Sequence, residues 1–262
     1  MFIRHSFPIY GSLSNILKGN PFCMEVLVDS WPCFEAVLTR PLVISKTLSD
    51  PLTNSYSFFL RDESKIQVVL EQIDWTKAFE VQTMQDSFRH ALEIEATQRG
   101  IAMEISLLKT YQESLNEETG GKQKQRNQMY RETCISPIHA PIVDGSWSFG
   151  GSPASLNYVS LCLKSMPSSC VYDSEGIPVS WVLCDHYGAM RVLYTVPQHR
   201  RKGLGSLVSS KLAEAMRGQG MLVHCHVEEE NIPSQLMFKS LGMQETTSRL
   251  LWARCDLKGT KD

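Results

Sequence analysis

None of the eight cysteines, at 23, 33, 134, 162, 170, 184, 225 and 255, forms a Cys-x-x-Cys pair or a zinc-like spacing. That argues against a structural metal knuckle and a dithiol redox motif, and leaves buried free thiols as the expectation. No stretch reaches 18 apolar residues, so no transmembrane helix is expected. Met1 to Asn20 carries neither an apolar core with a small-residue cleavage site nor an Arg-rich, acid-free amphipathic run, so the chain does not read as secreted. An excess of positive charge is missing too: 26 Lys and Arg against 28 Asp and Glu leave a net charge of -2, which argues against nucleic acid as a partner. No repeat of solenoid length is visible.

What is present fits a globular chain. At 262 residues, 42% hydrophobic and 21% charged, it can hold two domains of ordinary size. The polar run within Glu113 to Arg131 is nearly free of apolar residues and marks the expected boundary, giving lobes at 1–130 and 131–262. The first lobe shows strand patterns at Glu25 to Val28, Phe34 to Thr39 and Tyr56 to Leu60. Helical patterns follow around Ser64 to Gln72 and Val81 to Tyr111. The second shows a helix near Leu156 to Met166 and a hairpin from Ser169 to Cys184 turned by Asp173-Ser174-Glu175-Gly176.

The most chemically specific stretch is Arg200-Arg201-Lys202-Gly203-Leu204-Gly205. The apolar, strand-like run Met190 to Val196 precedes it, and Leu204, Leu207, Val208, Leu212 and Met216 then fall on one helical face until Gly218 and Gly220. Strand, glycine loop and helix in that order put free backbone N–H groups, a helix dipole and three cations at one point, as a pyrophosphate requires. The loop lacks the Gly-Lys-Ser/Thr of nucleoside-triphosphate loops and the three-glycine dinucleotide fingerprint. An ordinary basic turn before an amphipathic helix is the alternative at this point.

The loop resembles the coenzyme A loop of the GCN5-related N-acetyltransferase (GNAT) superfamily. The strand Met221 to Val227 and the helix that opens at Asn231-Ile232-Pro233 and ends at Leu241-Gly242-Met243 extend the resemblance. A narrower one follows from five separated motifs: Gly19-Asn20-Pro21-Phe22, Asp29 to Val37, Asn54-Ser55-Tyr56, Trp147-Ser148-Phe149-Gly150-Gly151 and Gly176 to Trp181. In order and content these resemble the glycine N-acyltransferase family across nearly the whole chain, with Glu113 to His139 the weakest part.

The resemblance implies an α/β fold with a mixed sheet: a GNAT-like carboxy-terminal domain behind a degenerate GNAT-like amino-terminal lobe. It implies transfer of an acyl group from acyl-CoA to the amino group of glycine or another small amino acid, with no permanently bound cofactor. It further implies a mitochondrial location, with the cytoplasm as the alternative, and partners limited to acyl-CoA and a small amino acid; a monomer is expected. The CoA-binding residues would be Val196, whose backbone would lie along the pantetheine, then Arg200, Arg201, Lys202, Gly203, Leu204, Gly205, Ser206 and Asn231.

The resemblance also exposes two departures. Glycine-active members carry a glutamate base in Gly-Glu-Met-Arg, where this chain has Gly188-Ala189-Met190-Arg191, and Phe238 stands where many superfamily members have a tyrosine that protonates the leaving thiolate. His226 is the catalytic residue expected instead, with Glu228 two residues on; a packed strand histidine is the competing reading. Asp185 and His186 are further candidates, though turn residues of this kind are usually solvated, and a water chain is another route for the proton. Arg191 reads either as a carboxylate ligand or as a surface or ion-pair residue, and Trp31, Trp147 and Trp181 either as pocket walls or as core. Two other functions stand beside the transferase: binding acyl-CoA without turnover, and acetylation of a protein amine.

Overall fold

The computed structural model describes residues 6–42, 52, 54–113 and 130–256. In chain order the first elements are α1 (Phe7–Leu17), β1 (Met24–Val28), β2 (Ala36–Pro41), β3 (Ser55–Leu60), α2 (Ile66–Leu70), β4 (Phe79–Thr83), α3 (Arg89–Gln98) and β5 (Ala102–Gln112). Then come β6 (Arg131–Thr133), α4 (Ala140–Ser146), α5 (Pro153–Ser165), β7 (Ser168–Tyr172), β8 (Pro178–Cys184) and β9 (Met190–Thr195). The chain ends with α6 (Leu204–Gly218), β10 (His224–Val227), α7 (Ile232–Ser240) and β11 (Gln244–Asp256).

Two units emerge, Met1–Lys109 together with Thr247–Asp262, and Thr110–Thr246. The last strand thus belongs with the amino-terminal unit, whereas the expected lobes were 1–130 and 131–262. Most of the polar run that marked that expected boundary lies outside the described residues.

In the first unit β1, β2 and β3 are antiparallel neighbours, β3 pairs parallel with β4, and β4 pairs antiparallel with β11. β3 and β4, rich in aromatic, β-branched and hydroxyl residues, are almost wholly buried, and Phe58, Phe79, Val81, Leu92 and Leu251 lie in their common core. Phe79 is packed edge-on by Tyr56 and Trp75 at 5.7 and 5.1 Å between ring centroids.

In the second unit β6, β7, β8 and β9 are successive antiparallel neighbours, and β9 pairs parallel with β10. The C-terminal end of β5 flanks β10, where the Glu113 N–H donates to the Val223 carbonyl at 3.0 Å. From α1 in the first unit and from α5 in the second, each unit therefore runs through a helix, three antiparallel strands, a helix, a parallel strand and a helix, with β6 and α4 additional in the second. The two closing strands are exchanged: β5 ends beside β10, and β11 pairs with β4. The mixed α/β architecture agrees with the expected fold class.

One expectation fails. Val81 to Tyr111 is not a helix but the end of β4, a ten-residue α3 and the eleven-residue β5. Buried on both sides, the Val81-Gln82-Thr83 segment takes strand geometry from its neighbours, and Gly100 separates α3 from β5; apolar spacing alone did not register either break.

Candidate active site

The loop after β9 begins with a 3₁₀ turn, Pro197–His199, and reaches α6 through two left-handed residues, Arg201 (φ +63°) and Gly203 (φ +77°). Gly203 caps the helix in the left-handed region that glycine adopts without strain, so the helix starts without a side-chain cap and without an acidic residue in its first turn. The N–H groups of Leu204, Gly205 and Ser206 accordingly open the helix with its positive dipole end, as an anion site needs. Arg201 and Lys202 are exposed here and have no ion pair among the described residues. Arg200 is tied back, its Nε donating to the Thr195 carbonyl at 2.9 Å and its guanidinium 5.6 Å from the Tyr194 ring.

Just ahead of this loop β9 and β10 part. Their parallel ladder consists of one pair, Cys225 with Met190. On its other side β9 carries a bulge against β8: Trp181 faces Tyr194 and Leu183 faces Arg191, so Val192 and Leu193 together oppose one residue, and Val192 takes φ +54°. A β-branched residue with positive φ is unusual, and nothing in the sequence signals it. Ser180 buttresses the same strand, with its hydroxyl 2.8 Å from Thr195 Oγ1, and the buried Trp181 packs on Tyr194 at 5.3 Å. The Val196 N–H donates to the Val179 carbonyl and the Val196 carbonyl accepts from His199, so both of its main-chain polar groups are engaged within the protein. Asn231 is exposed and caps α7, accepting from the Ser234 N–H at 3.2 Å.

Because side chains alternate along a strand and Cys225 pairs with Met190, Arg191 and His226 are neighbours on one face, with Ala189 and His224 one step back. The His224 and His226 rings are 5.4 Å apart, and His226 Nδ1 lies 2.9 Å from Thr110 Oγ1. Burial, then His224 and Arg191, hold His226 well below the usual histidine range, while burial alone brings His224 down to about 4. Both are neutral at physiological pH, the state a base must start from. Glu228 is exposed, outside β10.

Contrary to expectation, Asp185 and His186 are not solvated turn residues. Both are buried. Asp185 Oδ1 accepts the N–H groups of Tyr187 and Ala189 at 3.0 and 2.9 Å, and Oδ2 lies 3.7 Å from Arg191 Nη1. His186 Nδ1 is 2.8 Å from the Tyr158 hydroxyl, and burial with the nearby Arg191 pushes it down to about 3. Trp147 covers this cluster, stacked on Tyr158 with Arg191 5.3 Å from its ring, whereas Trp31 is 80% exposed and belongs to no core. Phe238 is buried in α7 and brings no hydroxyl.

Several of the sequence motifs act as clamps. A Cβ on Gly150 would sit 1.9 Å from the Asp144 carbonyl oxygen, and Asp144 Oδ2 accepts from the Gly151 N–H, so the double glycine folds back over α4. Asn20 brackets Met24 with two 2.8 Å bonds, and Asp29 holds the N–H groups of Glu35 and Ala36. A groove of about 620 Å³ in the second unit, lined by Arg131, Cys134, Met166, Tyr172 and Gln219 among others, lies at β6 and β7 rather than at the loop after β9.

Residues 2–167 match the family described as aralkyl acyl-CoA:amino acid N-acyltransferase, and residues 169–255 match its C-terminal region. The chain belongs to this family. Glycine N-acyltransferase of Rattus norvegicus is 32% identical, across 92% of this chain and 88% of that protein. A Drosophila protein of solved structure shares the fold with a TM-score of 0.80 at 17% identity, covering 95% of this chain and 88% of its own. A GCN5-related N-acetyltransferase from Kribbella flavida does so at 0.59 and 12%, covering 95% and 96%. This member of the aralkyl acyl-CoA:amino acid N-acyltransferase family carries the basic glycine loop after β9 and an alanine at position 189.

Proposed function

We propose that this chain is an acyl-CoA:amino acid N-acyltransferase working by direct attack, with the loop from Arg200 to Ser206 as the CoA cradle and His226 as the general base. The observation that carries this reading is the single-pair ladder of β9 and β10. It opens a cleft beside the α6 N-terminus, and the neutral His226 stands one residue from the point where the strands part. Phosphates held at Arg201, Lys202 and the N–H groups of Leu204, Gly205 and Ser206 would direct the pantetheine arm into that cleft.

His226 takes a proton from the acceptor ammonium, and the freed amine attacks the thioester carbonyl carbon. The C–N bond forms, the C–S bond breaks, and the nitrogen gives up its second proton to water, which passes one to the departing thiolate, since Phe238 offers none. The backbone bulge at Val192 and Leu193 would supply N–H donors to the developing oxyanion charge in this reading. Cys162 and Cys225 are buried and their thiols are pushed up by burial, so no cysteine nucleophile is required.

Ala189 and Phe238 motivate a second reading, a protein that binds acyl-CoA without turning it over. Incubation with short, aromatic and long acyl-CoAs against glycine, glutamine and other amino acids, followed by mass spectrometry, separates the two. N-acyl amino acid formation supports the transferase, whereas tight CoA binding with no product from any pair supports the second reading. A mitochondrial location and a monomeric state complete the proposal, and fractionation and sedimentation check them.

A further inference from the structure

We propose that Arg191 is the specificity-determining residue for the acceptor, binding its carboxylate while the amine lies at His226, so that the enzyme selects α-amino acids over amines without a carboxylate. This inference rests on the transferase reading and deepens it.

The argument begins with register. Parallel pairing of Met190 with Cys225 makes Arg191 and His226 adjacent on one face, and neighbouring strands run about 4.8 Å apart. An α-amino acid carries its amine and its carboxylate on one carbon, so a ligand that short can reach both residues. A longer ω-amino acid would have to buckle, and an amine lacking the carboxylate would reach one residue alone. The electrostatics agree with this proximity, because Arg191 contributes to holding down both His226 and His186.

The side chain of Arg191 is also held in place. Asp185 Oδ2 stands 3.7 Å from Nη1, and Asp185 is itself fixed by two backbone N–H groups in the turn before β9. Trp147 covers the guanidinium at 5.3 Å. Yet the Arg191 side chain keeps 17% of its surface exposed, against 3% for Asp185, so the pair presents its cation outward. A planar fork of five donors, fixed in direction, is the group that recognises a carboxylate bidentately. Position 189 shares this face; with alanine there, Arg191 has no second carboxylate from that position beside it.

The test compares glycine with glycinamide, and glycine with β-alanine, as acceptors for wild-type protein and for Arg191→Lys, which keeps the charge but loses the fork. The expected result is a rise of about tenfold in the KM for glycine, or about 1.4 kcal/mol. The KM for acyl-CoA should not change, and the preference for glycine over glycinamide should fall by the same factor. An unchanged preference overturns the proposal.

A second arm needs no turnover. Calorimetry follows N-benzoylglycine and N-benzoylglycinamide binding to the protein saturated with free CoA. Weaker binding of the acid alone in Arg191→Lys supports the anchor, and equal binding of acid and amide to wild type overturns it. Absence of product from every pair sinks the transferase reading, while the calorimetric arm still decides the role of Arg191. The double variant Asp185→Asn, Arg191→Met leaves no buried carboxylate unpaired, so its loss of acid-over-amide preference is not a folding defect.

Discussion

Thr110 Oγ1, at the end of β5, lies 2.9 Å from Nδ1 of His226 on β10, so the direction of this hydrogen bond and the ring tautomer are tied together. When Nδ1–H donates to the hydroxyl, Nε2 carries the lone pair that a base requires. His226→Gln is expected to lower kcat at least a hundredfold, in the range for a positioned general base, and Thr110→Val by about tenfold through loss of the tautomer. Steady-state kinetics at saturating acyl-CoA measure both. An unchanged kcat in His226→Gln removes it from the mechanism.

Ala189→Glu places a carboxylate on the face shared by His224, His226 and Arg191. In the His226→Gln background this change should return at least part of the lost rate, because the family's base position is then filled. No recovery, with CoA affinity intact, would show that the glutamate geometry is not preserved here.

Acid should destabilise the protein through its buried histidines. His186 is depressed to about 3 and His224 to about 4, both mainly by burial. A lowered folded-state pKa means that the unfolded chain binds protons first. Stability is therefore retained above about pH 6.5 and is lost as pH falls from there toward 4, by up to about 1.4 kcal/mol per pH unit for each histidine. Urea unfolding at pH 7.5 and pH 5 measures the loss, and His224→Asn should flatten the slope. A slope identical in wild type and variant would refute the assignment to His224.

The cradle predicts a charge effect separable from a packing effect. Arg201→Ala should weaken CoA binding roughly tenfold, with the deficit shrinking at high salt, because Arg201 is exposed and pairs with no carboxylate among the described residues. In Gly205→Val the added Cβ would meet Met237 Sδ at 3.4 Å, and the two methyls beyond it would crowd the α6 start, an effect that does not depend on salt. Unchanged CoA affinity in both variants would move the site elsewhere.

Local chemistry made the loop, its helix and the hairpin at Asp173 to Gly176 legible, because glycine positions, caps and apolar periodicity are written in neighbouring residues. The features that depend on pairing between distant strands were not. The exchange of β5 and β11, the bulge at Val192 and the burial of Asp185 and His186 follow from register and from Tyr158, Arg191 and Trp147, which lie well apart in the chain. His226 was recognisable as a residue type; its partner Thr110, 116 positions away, was not.

The first unit repeats the strand and helix order of the second, yet its corresponding cleft is filled. β3 and β4 pair at Ser55, Tyr56 and Ser57, after which Gln85 spans the gap. Its Nε2 donates to the Leu60 carbonyl and its Oε1 accepts the Leu60 N–H, both at 2.8 Å, while Thr83 Oγ1 donates to the Phe58 carbonyl. Ahead of α2 the 3₁₀ turn Glu63–Lys65 is capped by Asp62, which accepts from the Ser64 N–H with Glu63 beside it, so an anion approaching this turn meets like charge. One CoA per chain is therefore expected by calorimetry, and Gln85→Ala should leave that stoichiometry at one while lowering stability through the two lost backbone bonds, each worth about 1 kcal/mol. Two CoA molecules per wild-type chain would mean that the closed cleft opens in solution and that the lobes are functional equals.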